Sequence, residues 1–354
     1  MNGNHFHRAA WGNAALVAAA WVGIVLVVLA VFDAGAAAAG WLTGFVFAAQ
    51  ILLGSLTLAM IHRLTGGAWG AVVAPAAVPA AAAVPLLAVL AIPLFIAIAM
   101  LDPWLHQAGA IKPDVLSYYL NLPSYIVRSA VALIGWSALA WFLPRTPGRA
   151  GELLAALGLA FHALVISSVS IDWYLSLEAP FTSSSFGASV AVSSLLAALA
   201  WSVVVAPATG ESAPVGDVGG LLLATVLGIT YIDFMAVLVI WYGDIPREEI
   251  WFVVRERWPW PVLAVAAFLL GSLIPTLALL LSRVRNARRP LRAVGLCVLA
   301  GLAIYDAYLI APPTGTAALW TALVAVSGVS LMTIGVFLRG TAAPLSAMEP
   351  ADAR

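Results

Sequence analysis

Residues 14–32 read AALVAAAWVGIVLVVLAVF, nineteen consecutive positions without a charged side chain. At about 1.5 Å of rise per residue, a helix of that length matches the roughly 30 Å hydrocarbon core of a bilayer. A membrane strand would instead alternate apolar and polar residues over about ten positions, and this stretch does not alternate. It is therefore a helix dissolved in lipid. It also exceeds the roughly 7–15 residue apolar region of a cleaved signal, so it is read as a retained first span.

Working outward, nine further runs have the same character. The ten expected spans are about 14–32, 41–61, 78–100, 124–143, 152–172, 185–206, 219–242, 260–282, 291–311 and 317–338. The whole chain of 354 residues agrees: 63% is apolar, 9% is charged and the mean hydropathy is +1.04. A soluble domain carries roughly a quarter of its residues as Asp, Glu, Lys or Arg, so a soluble enzyme and a disordered chain are both excluded. The expectation is an all-α polytopic membrane protein forming a single membrane domain. Pro85, Pro93 and Pro275 fall inside expected spans and should kink them.

Charge sets the orientation. The loops on the N-terminal side hold Arg8, Arg63, Arg145, Arg149, Arg283, Arg285, Arg288, Arg289, Arg292, Arg339 and Arg354. The opposite loops hold only Lys112, Arg247, Arg255 and Arg257. Cytoplasmic loops are the ones enriched in Lys and Arg, so both termini are expected in the cytoplasm. The longer connections, 101–123 and 243–259, then face outward. They carry Trp104, Trp251 and Trp258, which suit either interfacial anchoring or docking of a partner. Net charge is zero and no polybasic tail is present, so nucleic acid is not an expected partner.

In so apolar a chain, intramembrane polar groups carry information, because a carboxylate at the centre of a span costs about 2.5–3.5 kcal/mol and needs a partner or a task. Asp233 lies deep in the seventh span, with Thr230 one turn before it. His162 is near the middle of the fifth, followed by Ser167, Ser168, Ser170 and Asp172 toward its outer end. Arg128 opens the fourth span. Asp306 sits near the outer end of the ninth, between Tyr305 and Tyr308, and Asp102 and His106 follow the third. Carboxylates, an imidazole and hydroxyls in such a series can pass protons. Asp233, His162, Asp172, Asp306 and Arg128 are the candidates, with Asp233 and His162 expected to work together. The competing structural reading pairs Arg128 with Asp172 or Asp306.

Redox centres on this chain are not expected. A two-haem cytochrome needs paired histidines on adjacent helices, whereas His5, His7 and His106 lie outside the spans, His62 at a span end, and His162 alone in the core. Cys297 is the single cysteine, which excludes disulfides and Cys-ligated clusters. No metal site is expected. The run Leu64-Thr65-Gly66-Gly67-Ala68-Trp69-Gly70 lacks the Lys and Ser/Thr of a phosphate loop and reads as a turn.

Four blocks, in order, resemble one family. The most specific is Ser170-Ile-Asp172-Trp173-Tyr-Leu-Ser176-Leu-Glu178, followed by Ser183-Ser-Ser-Phe-Gly187. The others are Ile240-Trp241-Tyr242-Gly243-Asp244-Ile-Pro-Arg247-Glu-Glu249, Gln50 followed by the Gly66–Gly70 block with Trp69, and Leu101-Asp-Pro-Trp104 followed by Lys112, Tyr119-Leu-Asn121 and Arg128. Together they resemble the NrfD/PsrC-like membrane subunits of alternative complex III, in particular the ActF type. The sequence departs from that pattern at Pro180, Phe181, Met235, Ala236 and Asp233. The resemblance implies two four-helix bundles plus two peripheral helices in a bacterial inner membrane. It implies a subunit of a quinol:cytochrome c (or other acceptor) oxidoreductase that scaffolds the membrane part, passes protons and is not catalytic alone. The quinol site would belong to a sister NrfD-like subunit, and iron–sulfur clusters and haem c to periplasmic partners. The outer segments 173–186 and 241–260 would be the docking face. The alternatives are an ion-coupled secondary transporter using Asp233 and Asp306, or a purely structural membrane anchor.

Overall fold

The computed structural model describes residues 3–105, 111–178, 181–206, 214–244 and 246–339. Helices account for the secondary structure throughout, and no strand occurs among the described residues. Among the described residues nine helices are long and apolar enough to cross a membrane, and a bent pair, taken as one span, makes ten. The chain is a multi-pass membrane protein.

The first two spans are α1 (Gly3–Phe32) and α2 (Ala34–Thr65). Asp33 separates them and caps α2, its carboxylate accepting from the Ala36 N–H at 2.9 Å. The third crossing is α3 (Gly70–Ala82) continued by α4 (Leu86–Leu90) and α5 (Ile92–Leu101), with a 50° bend at the first break. It starts at Gly70, earlier than the expected position 78, directly after the Gly66–Gly67 turn, where both glycines have positive φ. The bend falls at Pro85, whose ring lacks an N–H and collides with the preceding turn. Pro93 sits in the first turn of α5.

The short α6 (Pro113–Tyr118) lies at the end of the bundle away from Gly3 and Arg339, called outer below, before α7 (Leu122–Phe142) and α8 (Gly148–Trp173). Next come α9 (Phe186–Val205) and α10 (Val215–Gly243), followed by another outer helix, α11 (Pro246–Val254). The eighth span is α12 (Trp260–Phe268), a π-helical turn at Leu269–Leu273, and α13 (Ile274–Leu280). Pro275 cannot donate to the carbonyl four residues before it, in that turn. The short α14 (Ser282–Arg285), α15 (Arg288–Ile310) and α16 (Ala317–Arg339) complete the chain.

Packing divides the spans into two groups of four. Helices α2, α3–α5, α7 and α8 associate, as do α9, α10, α12–α13 and α15. The groups meet where α2 lies along α9, and α1 pairs with α16 against the outer flank of α2. Of the most apolar stretch of α2, 94% is buried, against 6% for α1, so α2 is the hub and α1 faces lipid. Without a hydrophobic drive between helices in lipid, close approach needs small residues. A Cβ on Gly54 would collide with the Ser194 carbonyl, so glycine is what allows the α2–α9 seam. Likewise Gly301 of α15 lies against the backbone of Gly271 in the π-turn.

Candidate functional site: buried carboxylates around an outer-half cavity

On the first group's outer side, the polar residues are paired. Arg128 makes a bidentate bond to Asp172, with Nε–Oδ2 at 2.8 Å and Nη2–Oδ1 at 2.7 Å. The remaining nitrogen donates to the Tyr119 carbonyl at 3.0 Å and to Ser124 Oγ at 2.5 Å. The guanidinium lies 3.7 Å from the Tyr119 ring centroid. The Asp172 carboxylate is fully buried. At the next turn Ser176 Oγ lies 2.7 Å from Asp102 Oδ1 and 2.6 Å from the Asp172 carbonyl. Burial pushes the Asp102 carboxyl up to about 7, against the opposing hydrogen bond of Ser176. Burial likewise pushes the Tyr119 hydroxyl up to about 12. Deeper in, Trp136 Nε1 donates to His162 Nδ1 at 3.1 Å and Trp173 Nε1 to Ser129 Oγ at 3.3 Å.

Where the two groups meet, the arrangement changes. Gln50 of α2 donates through Nε2 to Asp306 Oδ1 of α15 at 2.9 Å, and the Tyr174 hydroxyl donates to the same oxygen at 3.2 Å. Gln50 Nε2 also lies 3.3 Å from the Tyr174 hydroxyl. Asp306 is 1% exposed. Its second oxygen, and Gln50 Oε1, are buried with no hydrogen-bond partner among the described residues. Both groups facing Asp306 are neutral donors.

Tyr174 is also part of the wall of a cavity of about 460 Å³ enclosed by α9, α10, α12, the π-turn and α15. Inside it, Ser189 Oγ donates to Asp233 Oδ1 at 2.7 Å, and Tyr305 is the second polar neighbour of that carboxylate. Ser185, Ser189 and Ser193 line the cavity from the start of α9. Spaced by four, they fall on one helix face.

A roof closes the outer end. Arg255 lies 3.6 Å from the Trp251 ring centroid and donates to Glu178 Oε2 at 2.6 Å and to the Leu309 carbonyl at 3.2 Å. Glu248 accepts from the Thr182 N–H at 2.8 Å and hydroxyl at 2.7 Å. Phe181 stacks on Trp251 at 4.9 Å.

The sequence candidates thus separate. Arg128 and Asp172 form one ion pair, as the structural reading allowed. Gln50 and Asp306 meet through Tyr174. Ser176 belongs with Asp102, Trp173 with Ser129, and Glu178 with Arg255. His162 and Asp233 have different partners, Trp136 and Ser189 respectively. Thr230 lines the cavity but donates back to the Val226 carbonyl, so Ser189 rather than Thr230 orients Asp233. Trp69 packs edge-on against His62 at 4.7 Å, at the end of α2. Trp241 and Tyr242 are exposed near the end of α10, just before Gly243, while Glu178 and Glu248 are occupied inside the roof. His106, Pro180 and the Arg247 side chain lie outside the described residues.

Ser189, Tyr174 and the internal role of Arg255 were not singled out from the sequence. The i, i+4, i+8 serines were a legible signal for the first. Nothing local marks the other two, whose partners are 77 and 132 residues away. Comparison with protein-family models gives no match, and comparison with curated protein sequences gives none either.

Proposed function

We propose that this chain is an integral subunit of an alternative complex III-like quinol:acceptor oxidoreductase in a bacterial inner membrane, with both termini cytoplasmic. It scaffolds the membrane part and relays protons, while quinol, iron–sulfur clusters and haem c are handled by the sister NrfD-like subunit and the periplasmic partners. The observation that carries the relay is the Gln50–Tyr174–Asp306 cluster. A carboxylate at this depth is costly unless it has a cation or a task, and Asp306 is faced by neutral donors only. Tyr174, whose hydroxyl donates to Asp306, is also a residue of the cavity wall. A proton received by the Tyr174 oxygen from the cavity side displaces the tyrosine's own proton onto Asp306 Oδ1. The unpartnered Oδ2 is the second atom able to exchange one.

The transporter alternative expects interrupted helices at matching places in the two groups of four. The breaks here fall in the second span of one group and the third of the other. The reading is tested by purifying the chain from its native membrane in mild detergent. Co-elution with haem c and iron–sulfur polypeptides is expected, and elution of the chain without either contradicts it.

A further inference from the structure

The first group of helices leaves a slot open on its lipid side, away from the buried carboxylates. It lies between α2, α3 and the end of α7 and encloses about 300 Å³. Its origin is the 50° bend at Pro85. Before that bend α3 packs along α2 and meets α7 only lightly, so the space between α3 and α7 stays unfilled. Small side chains keep the floor low: Ala59 of α2, Ala81 of α3 and Ala140 of α7 are buried there. The rims are exposed, with Ala82 and Pro85 on one wall and Trp141 and Arg145 on the other.

The slot has a direction. Arg145 closes the turn Leu143–Arg145 after α7, at the inner end of the bundle, where Gly3 and Arg339 also lie. Pro85 stands about 22 Å of helical rise beyond Gly70, where α3 leaves that same end. A hydrocarbon core is roughly 30 Å thick, so the slot runs from the inner interface to the middle of the bilayer. That is the course of an acyl chain in the inner leaflet.

Charge narrows the occupant. Arg145 is the single charged residue of the lining. Its Nη1 donates to the Trp141 carbonyl at 2.6 Å and its guanidinium lies 3.7 Å from the Trp141 ring centroid, which fixes it at the mouth. Among the described residues no carboxylate pairs with it, and Nε and Nη2 have no hydrogen bond. Such a planar fork matches a phosphate. The surroundings are basic as well: the stretch 143–152 holds Arg145 and Arg149 against one carboxylate, Glu152, and Arg63 joins it by donating to the Thr146 carbonyl at 2.7 Å. A net-negative headgroup gains more in that field than a zwitterionic one. A partner helix, roughly 10–12 Å across with its side chains, is too wide for the slot, and an uncharged alkyl chain leaves the arginine fork unused.

We propose that this slot binds a phospholipid with a net-negative headgroup, one acyl chain lying between α3 and α7 and the phosphate held by Arg145. The proposal stands on the slot and its arginine and does not depend on the oxidoreductase reading.

The test uses the full chain, delipidated in a neutral detergent and titrated with dioleoylphosphatidylglycerol or dioleoylphosphatidylcholine under native mass spectrometry. One tightly retained phosphatidylglycerol is expected, with phosphatidylcholine held about tenfold more weakly, the equivalent of one hydrogen bond to a charged group. Arg145→Gln should bring phosphatidylglycerol down to the phosphatidylcholine level. Arg283→Gln, at an exposed arginine of α14 on the second group, should leave the preference intact. Ala82→Phe fills the slot from its exposed rim and should abolish tight retention while the protein still elutes as a single species. Equal retention of the two lipids, or a preference lowered alike by Arg145→Gln and Arg283→Gln, would overturn the headgroup assignment. Retention that survives Ala82→Phe, or displacement of phosphatidylglycerol by inorganic phosphate alone, would overturn the acyl-chain seat.

Discussion

The two groups of four helices treat their intramembrane carboxylates differently. In the first, Asp172 is held by a bidentate arginine that also stacks on a tyrosine. In the second, Asp233 and Asp306 have hydroxyl, phenol and amide neighbours instead of a cation, and beside them lies a cavity. The lesson is about which polar residues hold the fold and which are available for work. A carboxylate neutralised by a close guanidinium is committed to structure. One that meets only neutral donors can gain and lose a proton without breaking an ion pair.

The largest effect should come from breaking the structural pair. Arg128→Ala leaves Asp172 buried and uncompensated, at an expected cost of about 3–5 kcal/mol, read as thermal stability in detergent. The double change Arg128→Met with Asp172→Leu should recover most of that loss. Asp233→Asn and Asp306→Asn should each change stability far less than Arg128→Ala. A similar loss in all three would erase the distinction.

Next in size is the seam between the groups. Gly54→Ala drives a Cβ into the Ser194 carbonyl, a backbone atom that cannot swing away. A loss of about 1–3 kcal/mol is expected, typical of overpacking. Crosslinking across α2 and α9 would show whether the seam has opened.

A smaller effect concerns pH. The folded-state Asp102 carboxyl sits at about 7, against an ordinary value of 3.8. The folded state therefore holds the proton more tightly than the unfolded state. The associated stability is present below about pH 4 and is lost as pH rises through about 7. Asp102→Asn should remove this loss and be more stable than the parent at pH 8 by about 1–2 kcal/mol, with the gap shrinking toward pH 4. A gap that does not change with pH would assign the effect to packing.

Much of the fold is legible in the sequence because lipid imposes one dominant constraint. Apolar length alone marks each crossing, and the spans from the fourth onward begin and end within a few residues of their expected positions. The second span starts at Ala34 rather than 41, and the third crossing at Gly70 rather than 78. The start of the third was hidden because Pro75 and Pro79 make the segment after Gly70 look unlike a helix, although a span surrounded by neighbours tolerates them. The site was only partly legible. Gln50, Asp172, Asp306 and Arg128 stand out one by one as polar residues in apolar runs. Which of them meet depends on helix neighbours, and α2, α8 and α15 are far apart in the chain. That is why Asp233 was matched with His162, whereas the structure gives it Ser189.

The central claim is that Asp306 passes protons while Asp172 holds helices together. The most direct measurement is proton release per quinol oxidised by the assembled complex in proteoliposomes, comparing the parent with Asp306→Asn. The variant keeps the hydrogen bonds from Gln50 and Tyr174 but loses the exchangeable carboxyl proton. The expected result is normal assembly with proton-coupled turnover reduced about 100-fold or more, the scale of a lost acid–base group. Parental turnover and proton release in a fully assembled Asp306→Asn complex would contradict the account.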